Sequence, residues 1–403
     1  MVVRTVTVIG NGPPGGWAAV SVPQGVVADI ATGESARQYC RPATGPLGPA
    51  VADRAAGYRA VVINDTLALE QRPFPRLQRS GAVRSSASAI GLGCWQLGAD
   101  WGEVGDEDAM AVLAAAVDSG VTFLDTADVY GDGRSEQLIG RFRAGLDAPD
   151  DIMVATKVGR RADPFAPETF TESNLRAWVD RSRANLGVDT LDLVQLHCPP
   201  TPIFHSDAVF DVLDALQAEG ALAGYGVSVE TCAEALAAIA RPGVVSVQII
   251  LNAFRLKPLD EVLPAAVAAG VGIIARVPLA SGLLSGKYSA ATTFAADDHR
   301  NYNRTGAAFD VGETFSGVDF ETGLAAVAEL TAALPGGVEL PTAALGWISA
   351  QPGVTTVIPG ARRPAQARSN AAAGRSPALP EEFFAAVRRI YDEKLRADIH
   401  SRW

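Results

Sequence analysis

The stretch TFLDTADVYGDGRSEQLIGRFRAGLDAPDDIMVATK, residues 122–157, decides how this chain is read. TFLD (122–125) is a short apolar run that closes on an aspartate. Residues 135–143 carry a helical pattern. IMVATK (152–157) is apolar again and closes on a lysine. Strand, helix, strand in that order predicts a crossover unit, and a crossover unit makes its two strands parallel.

The same alternation extends in both directions. Strand-like runs recur as SAIGLG (88–93), LDLVQLH (191–197), AGYGVS (223–228), VSVQIIL (245–251), VGIIAR (271–276) and TTVIPG (355–360). Helical patterns separate them at 106–119, 171–186, 207–219, 231–240, 259–269, 319–333 with 341–350, and 364–373. Eight units of this kind predict an α/β fold, a closed (β/α)8 TIM barrel rather than an open sheet. LQRSGAVRS (77–85) predicts an N-terminal hairpin around Ser80-Gly81, ahead of the first barrel strand. An extra C-terminal helix, 380–396, lies beyond the eighth unit. The barrel is expected over residues 76–403. The long segment 277–318, after the seventh strand, belongs on the face where barrel active sites are built.

Residues 1–75 differ in texture. They are richer in Gly and Pro, hold no Lys, and show only strand-like pieces at 3–9, 25–30 and 58–64. Three readings stand for this extension: a loosely ordered segment, a stretch packed on the barrel, or an artefact of a misassigned start. VIGNGPPGGW (8–17) contains GxGxxG at Gly10, Gly12 and Gly15. A dinucleotide-binding turn needs a helix to begin there, and Pro13-Pro14 followed by Pro23 leaves no room for one.

Bulk properties exclude several functions. The net charge of −11 argues against nucleic acid and anionic membrane surfaces as partners. No apolar run reaches membrane length without Gly, Pro or charge, so a soluble cytoplasmic protein is expected. Four scattered cysteines form no CxxC pair, and His197, His205 and His299 show no close ligand spacing, so no metal site is predicted.

Polar residues gather at the predicted strand ends. Asp125 ends the second strand and Tyr130 follows it; Lys157 ends the third and His197 the fourth. Singly, each has an ordinary structural reading: a cap, a turn tyrosine, a snorkelling lysine, a core histidine. Jointly they place ionisable groups at the same end of three consecutive strands, where a barrel converges them on one pocket. Carbonyl reduction gives them a reason to meet, because it needs a proton on the developing oxyanion. A free tyrosine has a pKa near 10. A buried Lys157 ammonium beside Tyr130 is expected to lower it, with Asp125 holding Lys157 charged and His197 bonding the carbonyl oxygen.

GLGCWQLG, DTADVYGDGRSE, VATKVG, LVQLHCP, YGVSVET, RVPLASGLLSGKY and VIPGARRPAQARSN resemble, in order and spacing, the aldo-keto reductase superfamily. The resemblance covers about residues 76–403. It implies an NADPH-dependent barrel oxidoreductase in which Asp125, Tyr130, Lys157 and His197 form a catalytic tetrad, with Tyr130 as general acid. It implies that Ser228 and Gln248 hold the cofactor carboxamide, and that Pro278, Leu279, Ser281, Gly282 and Leu283 wrap the pyrophosphate. Gly360, Arg362, Gln366 and Asn370 would meet the adenosine end. Arg362 suits a 2′-phosphate and favours NADPH over NADH.

Two positions depart from the pattern. Val229 stands where relatives often have Asn, and Arg276 where many place an aromatic residue against the nicotinamide. Trp95 is the expected apolar wall for a small carbonyl substrate. Two alternatives stay open: a non-catalytic nucleotide-binding regulatory subunit of the same fold, and a sugar or polyol dehydrogenase working in the oxidative direction.

Overall fold

Gln71–Pro73 (β1) and Ser86–Ser88 (β2) pair antiparallel, with Gln71 opposite Ser88 and Pro73 opposite Ser86. They open the part of the chain described by the computed structural model, which covers residues 68–77, 84–98, 104–308 and 310–403. The pieces at 3–9, 25–30 and 58–64, the GxGxxG glycines and the Ser80-Gly81 turn lie outside the described residues. The arms of the hairpin stand farther apart in sequence than 77–85, and β1 lies ahead of residue 76.

Eight parallel strands follow: Leu92–Gly93 (β3), Phe123–Asp125 (β4), Met153–Val158 (β5), Leu193–His197 (β6), Tyr225–Ser228 (β7), Val244–Ile250 (β8), Gly272–Arg276 (β9) and Val354–Val357 (β10). Each pairs with its neighbour in sequence order. Parallel bridges from Ile90 to Val357 and from Gly93 to Gly360 join the first strand to the last. The Gly91 N–H donates to the Val357 carbonyl at 2.8 Å, and the Val357 N–H to the Ala89 carbonyl at 3.0 Å. The expected barrel therefore closes on itself.

The helices sit between the strands where the apolar spacing placed them: Asp106–Asp118 (α1), Arg134–Ala144 (α2), Glu172–Leu186 (α3), Asp207–Ala218 (α4), Cys232–Ile239 (α5) and Val262–Ala269 (α6). A short turn, His299–Tyr302 (α7), lies in the long seventh loop. Phe320–Ala332 (α8), Leu340–Ser349 (α9) and Pro364–Ala373 (α10) complete the ring, and Glu381–Lys394 (α11) lies beyond it. Local chemistry sets several ends. Thr171 caps α3 by accepting from the Asn174 N–H, and Gly187 ends it at φ 67°. Thr231 and Glu234 form a reciprocal capping box on α5. Among the described residues, no helix is long and apolar enough to cross a membrane.

The N-terminal mouth of the barrel is plugged. Phe74 and Leu77, just after β1, pack with Phe123, Met153, Leu193 and Val245 at or near the starts of their strands. The fit depends on small residues beneath them. A Cβ on Gly272 would lie 2.3 Å from the Phe74 ring, and one on Gly224 would lie 2.5 Å from Leu77. With that mouth filled, the opposite face is left for chemistry. Truncating the plug by Phe74→Ala is expected to cost about 3–5 kcal/mol in urea unfolding, the usual range for a buried phenylalanine. Catalytic constants measured well below the unfolding midpoint should stay near wild type.

Candidate active site

Parallel register brings the strand-end residues together. His197 pairs across with Ser228, Ser228 with Gln248, and Lys157 with Gln195. Asp125 lies beside Ala155, two residues before Lys157. Side chains two apart on a strand share a face, so the C-terminal ends of β4, β5, β6 and β8 point polar groups into the same barrel interior.

Lys157 is 1 % exposed. Its Nζ donates to Asp125 Oδ1 at 2.5 Å, to the Thr126 carbonyl at 2.9 Å and to the Tyr130 hydroxyl at 3.4 Å. The other carboxylate oxygen of Asp125 accepts from Gln248 Nε2 at 2.7 Å and Gln195 Nε2 at 3.3 Å. A buried ammonium and a buried carboxylate are thus both paired and hydrogen-bonded, the condition under which buried charges persist. The Tyr130 and His197 rings meet edge to face at 5.9 Å, and Trp95 lies 6.1 Å from Tyr130 and 5.7 Å from His299.

The electrostatics depart from the sequence expectation at one point. Lys157 does pull the Tyr130 hydroxyl down, but burial outweighs it, and the Asp125 and Glu313 charges add to burial. The Tyr130 pKa stands above the ordinary tyrosine value rather than below it. Burial, reinforced by Arg160, Lys157 and Arg276, pushes His197 well below the usual histidine range, so its imidazole is neutral at neutral pH.

These residues open onto a cleft of about 650 Å³. Asp125, Tyr130, His197, Ser228, Gln248, Arg276, Pro278, Leu279, Ser281, Gly282, Gly360, Arg362, Gln366 and Trp95 all line it. Three predicted residues stand behind the lining. Lys157 is covered by its partners. Leu283 is buried in the hydrophobic core. Asn370 donates to the Gly360 carbonyl at 3.1 Å. The side-chain nitrogen of Gln248 is engaged by Asp125 and Gln195. The Arg362 N–H donates to Gln366 Oε1 at 2.9 Å. Ser281 and Gly282 take left-handed backbone, φ 52° and 95°. The Ser281 hydroxyl donates to the Glu313 carbonyl at 2.7 Å and accepts from the Phe315 N–H at 3.1 Å, fastening segment 310–317 to the cleft wall.

Arg276 neither reaches out into the cleft nor lies loose against it. One Nη donates to Glu313; the other donates to Glu230 at 2.9 Å and to the Val229 carbonyl at 3.0 Å. Burial works against its charge, but the two carboxylates outweigh burial and hold its pKa well above the ordinary arginine value. Glu230 also pairs with Arg160 at 3.3 Å. Sequence reading missed Arg160, Glu230, Glu313 and Gln195. The first two lie just past strand ends, so the argument that found Lys157 and His197 extends to them. Glu313 comes from a loop without periodicity, and nothing in the sequence marks it.

A third missed carboxyl is Asp128, fully buried, with neither oxygen hydrogen-bonded among the described residues. Burial pushes it up to about 7, with the Glu136 charge adding to the shift and Arg161 and Arg181 opposing it. Between the ordinary aspartate value near 4 and this folded value, the native chain holds a proton that the unfolded chain has lost. Stability therefore falls as pH rises through that window. Asp128→Asn should flatten the fall and stabilise the chain by about 1–3 kcal/mol on its alkaline side. Urea midpoints measured at acidic and alkaline pH check it.

The model of the aldo/keto reductase family matches residues 89–392. Aldo-keto reductase YhdN of Bacillus subtilis is 30% identical over 286 residues, covering 70% of this chain and 83% of its own length. The protein named aldo-keto reductase yakc [NADP(+)], of Schizosaccharomyces pombe, is 29% identical over 283 residues, covering 68% of this chain and 80% of its own length. Among solved structures, the glycerol dehydrogenase of Gluconobacter oxydans superposes with a TM-score of 0.63 at 28% identity, over 79% of this chain and 95% of that one. With the closed barrel and the strand-end cluster already in place, the family match over most of the chain means that this protein belongs to the aldo/keto reductase family of oxidoreductases.

Proposed function

We propose that this chain is an NADP-dependent oxidoreductase that reduces an aldehyde, ketone or keto-sugar to the alcohol, with Tyr130 as general acid. The observation that carries this reading is the buried Asp125–Lys157–Tyr130 chain of hydrogen bonds, which meets His197 at the floor of the cleft.

The cleft suits a dinucleotide. It runs from Asp125, Tyr130 and His197 to Gly360, Arg362 and Gln366. Its volume of about 650 Å³ lies within the range typical of small-molecule sites. Gln96 Oε1 and His197 Nδ1, buried side-chain atoms of residues on its lining, have no partner among the described residues. Lys287 and Arg362 put positive charge on the lining of a chain that is acidic overall. Helix α10 begins just past Arg363, where a helix N-terminus favours an anion. Ser228 and Gln248 would face the carboxamide, Pro278 to Gly282 the pyrophosphate, and Arg362 the 2′-phosphate. The relative named with NADP(+) supports the same choice of cofactor.

When bound, NADPH supplies the hydride that reaches the carbonyl carbon. The chain does the rest. Tyr130, protonated at neutral pH and, with its pKa raised, to still higher pH, donates a hydrogen bond and then the proton to the carbonyl oxygen. Lys157 stabilises the phenolate left behind, and Asp125 keeps Lys157 charged. Neutral His197 orients the oxygen, and Trp95 walls the substrate side.

A second reading is oxidation of a sugar or polyol with NADP+. It draws support from the polar side chains of Arg160, Glu313 and His299 on the same cleft as Trp95, which offer donors and acceptors for hydroxyls. The relative titled glycerol dehydrogenase supports it too.

NADPH oxidation against an aldehyde and ketone panel tests the first reading, and NADP+ reduction with polyols the second. Cofactor binding without turnover in either direction would point to a regulatory subunit. Tyr130→Phe is expected to lower kcat by a factor of roughly 10²–10⁴, with NADPH affinity by fluorescence titration unchanged. Because reduction uses the protonated phenol, its rate should hold through neutral pH and fall only as pH rises through a value above the ordinary ~10. Alcohol oxidation should rise over the same range. Arg362→Ala should weaken NADPH about tenfold, the worth of one charge-assisted contact, and leave NADH within about twofold; titration with both cofactors decides this.

A further inference from the structure

Behind the cleft wall lies a second cluster that the proposed chemistry does not use. Arg255 is fully buried, yet only the Glu230 main-chain oxygen accepts from it; its Nε and Nη1 have no partner among the described residues. Its guanidinium lies instead 3.8 Å from the ring of Trp403, itself buried. Burial pushes the Arg255 pKa down to about 10. A cation this poorly bonded is costly, and an aromatic face offsets part of that cost. Such an arrangement persists where the surrounding structure holds it in place.

The contacts around this pair show what it holds. A Cβ on Gly312 would come within 2.3 Å of Arg255 Nη1 and 3.1 Å of Trp403. At Gly317 (φ +73°), a Cβ would come within 2.9 Å of Trp403. Between these two glycines stands Glu313, which grips Arg276 from one side. Glu230, whose main chain accepts from Arg255, grips Arg276 from the other side at 2.9 Å. One stacked pair therefore abuts the backbone of both carboxylates that clamp the cleft arginine.

We propose that Trp403 and Arg255 are positioning residues: their stacking sets the backbone at Glu230 and at Gly312–Glu313, and through those two carboxylates aims Arg276 in the wall of the reaction cleft. The proposal rests on the reading of this cleft as the cofactor and substrate site. Both Nη groups of Arg276 are occupied and its Nε is buried without a partner among the described residues, so the two carboxylates fix how this lining residue sits in the cleft wall. A shift of Glu313 moves Arg276 and leaves the Asp125–Lys157–Tyr130 hydrogen bonds in place, reaching Tyr130 only through the Glu313 charge. The effect falls on binding rather than on proton transfer.

The test compares the full chain with Trp403→Leu, Trp403→Phe, Glu313→Gln and the Trp403→Leu/Glu313→Gln double variant. Trp403→Leu should weaken NADPH in a fluorescence titration, or raise KM for the carbonyl, by about tenfold, with kcat within about twofold. Trp403→Phe, which keeps an aromatic face on Arg255, should restore both to within about twofold. In the Glu313→Gln background, Trp403→Leu should add clearly less than it does alone, about threefold or less, because one of its two routes to Arg276 is already weakened and only the one through Glu230 remains. Effects that multiply in the double variant, or a loss confined to kcat, overturn the proposal. Hydrogen exchange reads the clamp without turnover: amides of 310–317 should exchange at least about tenfold faster in Trp403→Leu while barrel strands keep their protection. Unchanged exchange there overturns the clamp. A wild-type chain that neither binds NADPH nor turns over any carbonyl sinks the proposed function instead, and the exchange result still decides whether Trp403 holds the segment.

Discussion

Everything at the C-terminal face depends on keeping one ammonium charged without water. Lys157 is almost completely buried, and an isolated cation there would cost several kcal/mol or lose its proton. It stays charged because Asp125 lies at 2.5 Å, because the Thr126 carbonyl takes a second hydrogen, and because the Tyr130 hydroxyl lies at 3.4 Å. Asp125 in turn has its other oxygen filled by two amides, from Gln195 and Gln248. Five side chains from four strands and the loop after the first of them must arrive together, or a charge is stranded. The closed barrel supplies that convergence.

The same constraint recurs one step outward, at the rim. Arg276 and Arg160 share the Glu230 carboxylate, and Arg276 takes Glu313 as well. Among these four, positive and negative charges balance, so the wall is polar without a net field of its own. Burial, with the nearby cations adding to it, accounts for the state of His197. It is buried beside Arg160, Lys157 and Arg276, with its Nδ1 unbonded among the described residues, and such surroundings favour the neutral ring. Tyr130 feels the opposite sum. Lys157 favours its phenolate, but burial and two carboxylates favour the phenol more strongly. Tyr130 is thereby kept protonated, the state that the proposed reduction requires.

The two ends of the barrel divide the work. Phe74 and Leu77 fill the N-terminal mouth with apolar volume, over glycines that leave room for nothing else. The C-terminal mouth carries the long seventh loop, tied down by Ser281 to Glu313 and Phe315 and by Asn252 to Ser316 at 2.8 Å. Stability and chemistry thus draw on different residues, as is usual in this architecture.

The sequence by itself determined the barrel, its helices and the strand ends that carry Asp125, Lys157 and His197. Strand and helix periods and the order of units are local properties, and local patterns were enough to read them. It also marked Arg276 as unusual. Tertiary structure alone decided the rest. Gln195 and Gln248 meet Asp125 only because of register across the closed sheet. Glu313 reaches Arg276 from a loop without periodicity. Trp403 finds Arg255 across 148 positions of sequence. Net pKa direction was likewise beyond the sequence. A lysine beside a tyrosine predicts one sign, and only the depth of burial and the carboxylates from other loops reveal that the opposite sign wins.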